Sequence, residues 1–363
     1  MFIFTLFYCT FYFYLIEKVS TRNKLHLFLW LPPLILYLSV AGLQYSVGTD
    51  YLSYISIYEN QEQYLLKYYI KGEYTFYYIN KLLSFINSPS QGVFFVFSII
   101  QSIFIFWYFA TLKRNLFIIW LFFLIFFTVT NIYNNQLNGI RQYAALTLFP
   151  LITYWCHTRQ KTKTIIAIIV AITFHKSSIM FFIVFLFQFL NKFINKKTTF
   201  LFFILTAPIY YFLPFYIIDI LTSFPNEYTH YIHSKYFHSN DYWIIVTKIY
   251  YIPIILYFFY RYLKVDSYKK NGTDSTYFQF CIFIFSITFW SFLIGLFANI
   301  LSRLSSNFIF LYIFPIYYIL AESINKRNNI KTLFLFLYIT LPYIIKVTIL
   351  AKNEFLYKSY LFN

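Results

Sequence analysis

Runs of 15 to 22 apolar residues recur along this chain, and they decide most of what it can fold into. A helix needs about 20 such residues to cross a hydrocarbon core of about 30 Å. The runs fall at about 2–16, 26–44, 91–112, 116–131, 140–156, 163–175, 177–190, 199–217, 242–263, 276–298, 305–321 and 332–350. They lack the alternation of barrel strands, and only seven glycines interrupt the whole chain. Charged residues make up 11% of 363 positions and mean hydropathy is +0.61. A soluble domain carries about 25% charged residues. The fold expected is all-α: a polytopic helical membrane bundle of about 11–13 transmembrane helices with short extracytoplasmic helices, forming one domain over 1–363. Several runs are too short for an upright crossing, which predicts tilted or re-entrant segments. A further amphipathic run, YTFYYINKLLSFI at 74–86, reads as another crossing or as a helix lying in the interface.

The net charge of +17 is not gathered on one face, so nucleic acid is not an expected partner. The charges sit in loops, where they set orientation. Alternate loops at 17–25, 113–115, 157–163, 191–198, 261–274 and 323–331 hold 18 of the 29 Lys and Arg; the complementary loops and the C-terminal tail hold 8. The richer side is expected in the cytoplasm. The start, MFIFTLFYCTFYFYLIEK, has neither a basic leader nor a small-residue cleavage site and reads as a retained first helix. Cys9, Cys156 and Cys281 fall within or beside apolar runs at no metal-like spacing, so neither a disulfide framework nor a metal site is expected.

On this map the scattered ionisable residues gather on the outer side. Arg141 opens one apolar run and His175 closes the next, with the basic turn HTRQKTK between them, so both are expected at the outer membrane surface. Charged groups beside a bilayer are costly and point to a site, although Arg and His also mark helix ends. Two outer loops are expected, at about 45–75 and 218–241. The first carries Asp50, Tyr51, Tyr54 and Tyr58 at helical spacing, an aromatic face beside an acid, though capping alone explains an Asp there. The second carries His230, His233 and His238 without an acid or cysteine pattern that fits zinc. Arg303 is also outside. Arg141 and Arg303, with no acid near them in sequence, suit a phosphate or pyrophosphate. Tyrosines and asparagines nearby suit sugars, through flat faces and amide groups. No D-x-D and no glycine-rich phosphate loop is present, so no nucleotide-sugar site and no cofactor is expected.

Four patches then carry a resemblance: GTDYLSYISIY at 48–58, NGIRQYAALTLF at 138–149, FHKSSIMF at 174–181 and SRLSSNFIFLYIFP at 302–315. In this order they resemble the EpsG-like branch of the Wzy-type polysaccharide polymerases, whose pattern runs G-x-D-x-x-x-Y, I-R-Q, F-H-x-S and R-x-S-x-x-F. Lys176 stands where that pattern has a small or apolar residue, and Ser305–Ser306 where tyrosine is frequent. The resemblance implies an inverting glycosyltransferase in the bacterial inner membrane, active at its outer face. It would transfer a growing glycan from undecaprenyl pyrophosphate onto a lipid-linked repeat unit, with a chain-length regulator as a further partner. It implies His175 and Asp50 as the catalytic pair. Arg141, Arg303, Gln142, Tyr51, Tyr54 and Asn138 are implied to hold the substrates. His175 is the favoured base, because imidazole titrates near neutrality. The alternatives are a lipid-linked oligosaccharide flippase, which should bury charges mid-helix, a ligase-type transferase, and a membrane O-acyltransferase.

Overall fold

The computed structural model describes residues 1–19, 26–223, 242–264, 275–296 and 305–362. Among these the chain is helical throughout; its one strand-like pairing is an isolated bridge between Gln44 and Ser359. Among the described residues, six helical segments are long and apolar enough to cross a membrane: Phe2–Val19, Gln91–Arg114, Lys176–Phe193, Lys196–Tyr216, Thr276–Leu296 and Asn329–Thr348. Shorter apolar helices cover Phe28–Gly42, Ile119–Val129 and Ile309–Asn325. Their outward faces are as apolar as their packed ones. The helix Asn329–Thr348 exposes Leu333, Phe334, Leu337 and Leu341, and Phe2–Val19 exposes Phe4, Phe7 and Phe11. Such stripes make sense only against lipid. The chain is a multi-pass helical membrane bundle.

It divides into two compact units. One is built mainly from Met1–Phe189 and Ser323–Asn363, the other mainly from Leu190–Lys269 and Thr273–Glu322. The first unit starts with helices α1 (Phe2–Val19) and α2 (Leu31–Gly42). Three short helices follow, α3 (Tyr51–Glu59), α4 (Gln61–Tyr64) and α5 (Leu66–Ile70), and then α6 (Tyr74–Phe85) and α7 (Gln91–Arg114). Next come α8 (Ile119–Val129), α9 (Ile132–Asn138), α10 (Ile140–His157) and α11 (Lys161–Phe174).

Helix α7 is the axis of this unit, packed by α2 on one side and α10 on another. Its 24 residues rise about 36 Å, so its two ends define two levels. At the lower end Lys113 pairs with Glu17 at 2.7 Å, and Glu17 also accepts the Trp120 N–H at 3.2 Å. That contact joins two of the loops rich in Lys and Arg. At the other end the Gln91 amide donates to the carbonyls of Gly42 at 2.7 Å and Gln44 at 2.9 Å, and accepts the Tyr51 hydroxyl at 3.0 Å. The C-terminal tail returns to this end, where Tyr45 N–H meets the Lys358 carbonyl and Tyr360 N–H the Leu43 carbonyl.

The run at 74–86 resolves as α6, whose 12 residues rise only about 18 Å. It packs on the first half of α7, with Phe76 beside Phe97 at 5.9 Å between ring centroids. Helix α11 is also short, and its last residue, Phe174, lies against Phe97 and Phe104. The start of α6 meets the end of α11, where the Thr75 and Thr173 hydroxyls share a hydrogen bond of 2.6 Å. The α7 rings that these helices touch, Phe97 and Phe104, lie about 9 and about 20 Å along the helix from Gln91. Arg141 and His175 both belong to this meeting point. At 12 and 14 residues, neither α6 nor α11 reaches across a membrane alone.

The second unit contains α12 (Lys196–Ser223), α13 (Tyr242–Ile249), α14 (Ile252–Lys264) and α15 (Thr276–Thr288). Arg261 on α14 is held by both carboxylate oxygens of buried Glu322. The indole N–H of Trp290 donates to the Phe203 carbonyl at 2.7 Å. Helix α12 runs into the start of the expected loop at 218–241; His230, His233 and His238 lie outside the described residues, as does Arg303.

Candidate functional site

The site starts from a glycine. Gly48 has φ of +80°, and a Cβ there would lie 2.5 Å from the Asn138 side-chain oxygen. Only glycine suits that conformation at that distance. The same Asn138 oxygen accepts the Asp50 backbone N–H at 2.9 Å and the Thr49 hydroxyl at 3.3 Å. The first motif is thus fastened to the second through the Asn138 amide. Asp50 precedes α3 but makes no side-chain cap to it, and it stays exposed. Capping therefore does not account for this acid.

Three residues after Asn138, Arg141 lies in the first turn of α10. Gln101 of α7 steadies that turn, its amide donating to the Ile140 carbonyl at 2.8 Å. The guanidinium packs over three rings, Tyr68 at 4.4 Å, Phe76 at 5.0 Å and Tyr54 at 5.8 Å to the centroid. A cation over aromatic faces gains about 0.5–2 kcal/mol per good contact. Its Nη1 donates to the Glu73 carboxylate, while the Nε–H is buried without a hydrogen-bond partner.

Glu73 is the residue that reading the sequence missed. Its side chain is 4% exposed. One oxygen takes Arg141. The other accepts the Lys176 backbone N–H at 3.4 Å and lies 3.2 Å from His175 Nδ1. That last contact is at ion-pair distance without hydrogen-bond alignment, so its weight is electrostatic. Burial pushes the Glu73 carboxyl up, but His175, Arg141 and the Lys176 amide outweigh it and hold the group below the usual glutamate range. Arg141 therefore does have an acid partner, 68 positions away in the chain. One signal was available. Glu73 is among only 12 acids in the chain, and it immediately precedes the amphipathic run of α6.

The predicted residues divide as follows. Asn138, Arg141, His175 and the Asp50 turn all lie in the first unit, around the junction of α6, α10 and α11. Tyr51 and Tyr54 are buried, at 2% and 5% exposure, and neither ring offers an open face for a sugar. Tyr51 stacks on Phe94 at 4.5 Å, and Tyr54 supports Arg141. Gln142 is half-buried beside Arg141 on α10. His175 keeps 25% of its side chain exposed, so a substrate can reach it. Lys176 contributes its backbone N–H while its side chain faces outward, which explains how a lysine is accommodated at that motif position. No group of three or more His, Cys, Asp or Glu among the described residues is placed to hold a metal.

The family model described as the EpsG family matches residues 27–362. No curated protein and no solved structure matches the chain.

Proposed function

The chain belongs to the EpsG family, membrane proteins of the polysaccharide-polymerase type, and from that premise we propose that it extends a lipid-linked glycan. In this reading it moves a growing chain from undecaprenyl pyrophosphate onto the non-reducing end of a lipid-linked repeat unit, at the outer face of the bacterial inner membrane. A chain-length regulator is its expected partner. One observation carries the reading. Two motif patches distant in sequence meet on one buried carboxylate and present a guanidinium and an imidazole together, and a third is fastened to the first of them through Asn138.

The chemistry follows from those groups. A sugar hydroxyl of the acceptor attacks the anomeric carbon of the donor. The bond from that carbon to the pyrophosphate oxygen breaks, and its electron pair leaves with the pyrophosphate. The hydroxyl proton passes to His175, the base within reach of an incoming acceptor. Negative charge grows on the leaving group, and the Arg141 guanidinium, part of whose side chain stays exposed, is the cation that meets it. Arg303 is the second proposed clamp. Asp50, exposed at the start of α3, orients the acceptor hydroxyls. No residue is set as a covalent nucleophile, so a single inverting displacement is the step proposed.

The test uses purified full-length protein in lipid nanodiscs with lipid-linked repeat units extracted from a polymerase-deletion strain. Products longer than one repeat, formed by wild type and lost by roughly 100-fold or more in Arg141→Ala, are expected. Normal elongation by an inserted Arg141→Ala protein contradicts the clamp. The burial of the ion cluster favours one second reading, a flippase, since a transport route also places charge inside the bundle. Vesicles in which lipid-linked units change leaflets without growing would select it.

A further inference from the structure

Glu73 and His175 occupy opposite helix ends at one junction. Glu73 directly precedes α6, whose N-terminus carries partial positive charge, and His175 directly follows α11, whose C-terminus carries partial negative charge. The α6 end favours the carboxylate placed there. The carboxylate has no proton to give, and its negative charge beside the nearer imidazole nitrogen favours a hydrogen there over a lone pair, through charge rather than an aligned hydrogen bond. That nitrogen is Nδ1, at 3.2 Å. The lone pair of the neutral ring then resides on Nε2.

Resting on the polymerase reading above, we propose that Glu73 is the positioning carboxylate of this site. It fixes His175 as the Nδ1–H tautomer with Nε2 free to take the acceptor's proton, and it fastens Arg141 through its other oxygen. Burying a carboxylate with a guanidinium is seldom a net gain in stability over apolar packing. A geometric role accounts for this expense. The other ionisable groups that face the cluster are Tyr54 from α3 and Tyr68 from α5, both over Arg141, with Asp50 acting electrostatically on both. None of them competes for Nδ1 by any contact the structure shows.

The test pairs a spectroscopic readout with a kinetic one. Full-length protein labelled with nitrogen-15 histidine in nanodiscs gives the ring-nitrogen shifts of His175, assigned by their loss in His175→Gln. Wild type is expected as the Nδ1–H tautomer. In Glu73→Gln the tautomers are expected to mix, and kcat to fall by roughly 100-fold or more with a smaller change in KM. Glu73→Asp is expected to restore the wild-type tautomer and part of the rate. An unchanged tautomer in Glu73→Gln overturns the proposal, whatever the rate. If neither variant folds, Glu73 is structural and the proposal fails. Wild type that shows the tautomer yet elongates no lipid-linked glycan defeats the polymerase reading instead, so the two failures are distinguishable.

Discussion

Gly48 and Gly72 both sit at φ near +80°, yet they predict different consequences. Nothing lies within 4 Å of a Cβ at Gly72, whereas one at Gly48 strikes Asn138. Gly72→Ala is expected to cost backbone strain alone, about 1 kcal/mol, and to leave elongation intact. Gly48→Ala adds a collision that moves the Asp50 turn, for about 2–3 kcal/mol in total. Thermal midpoints of the two variants, read beside their activities, check this. Glu73 sets a pH dependence. Its carboxyl lies below the ordinary glutamate value of 4.5 when folded, so the stability it contributes is complete above that value and is lost as pH falls through the lower one. The wild-type midpoint should drop across this acid window, and that of Glu73→Gln should not. Asp50, Arg141 and His175 were legible because each stands in a short local motif. Glu73 was not, because its meaning lies in partners 68 and more positions away, and no local spacing encodes that pairing.

At the scale of elements, the junction depends on groups that satisfy backbone ends away from water. Gln101 is 2% exposed and takes the Ile140 carbonyl at the first turn of α10. Gln101→Leu leaves that carbonyl without its partner, at a cost of about 1–3 kcal/mol, and loosens the turn that carries Arg141. A fall in kcat with normal membrane insertion is the expected outcome, measured in the nanodisc assay. Apolar period and length are enough to read the long helices from the sequence. They do not separate a thirteenth crossing from an interfacial helix at 74–86. The outcome, a half-length helix meeting another, is fixed by contacts such as Thr75 with Thr173 that no hydropathy window contains.

For the whole molecule, the charge pattern and the helix ends agree on two levels within the first unit. Glu17 and Lys113 meet at one, and the Gln91 amide and the C-terminal tail mark the other. Because Cys9, Cys156 and Cys281 are all buried, single cysteines introduced at exposed loop positions should report sidedness cleanly. Lys161→Cys is expected to react with an impermeant thiol reagent only from the cytoplasmic side, and Thr49→Cys only from the outer side. The central claim, that this molecule lengthens a lipid-linked glycan through Arg141, has a direct measurement. The gene is deleted, and the surface polysaccharide is run on a gel beside complementation by wild type and by Arg141→Ala. A ladder that collapses to a single repeat unit, restored by wild type and not by a normally inserted Arg141→Ala, is the predicted result. A ladder unchanged by the deletion, or fully restored by Arg141→Ala, would contradict it.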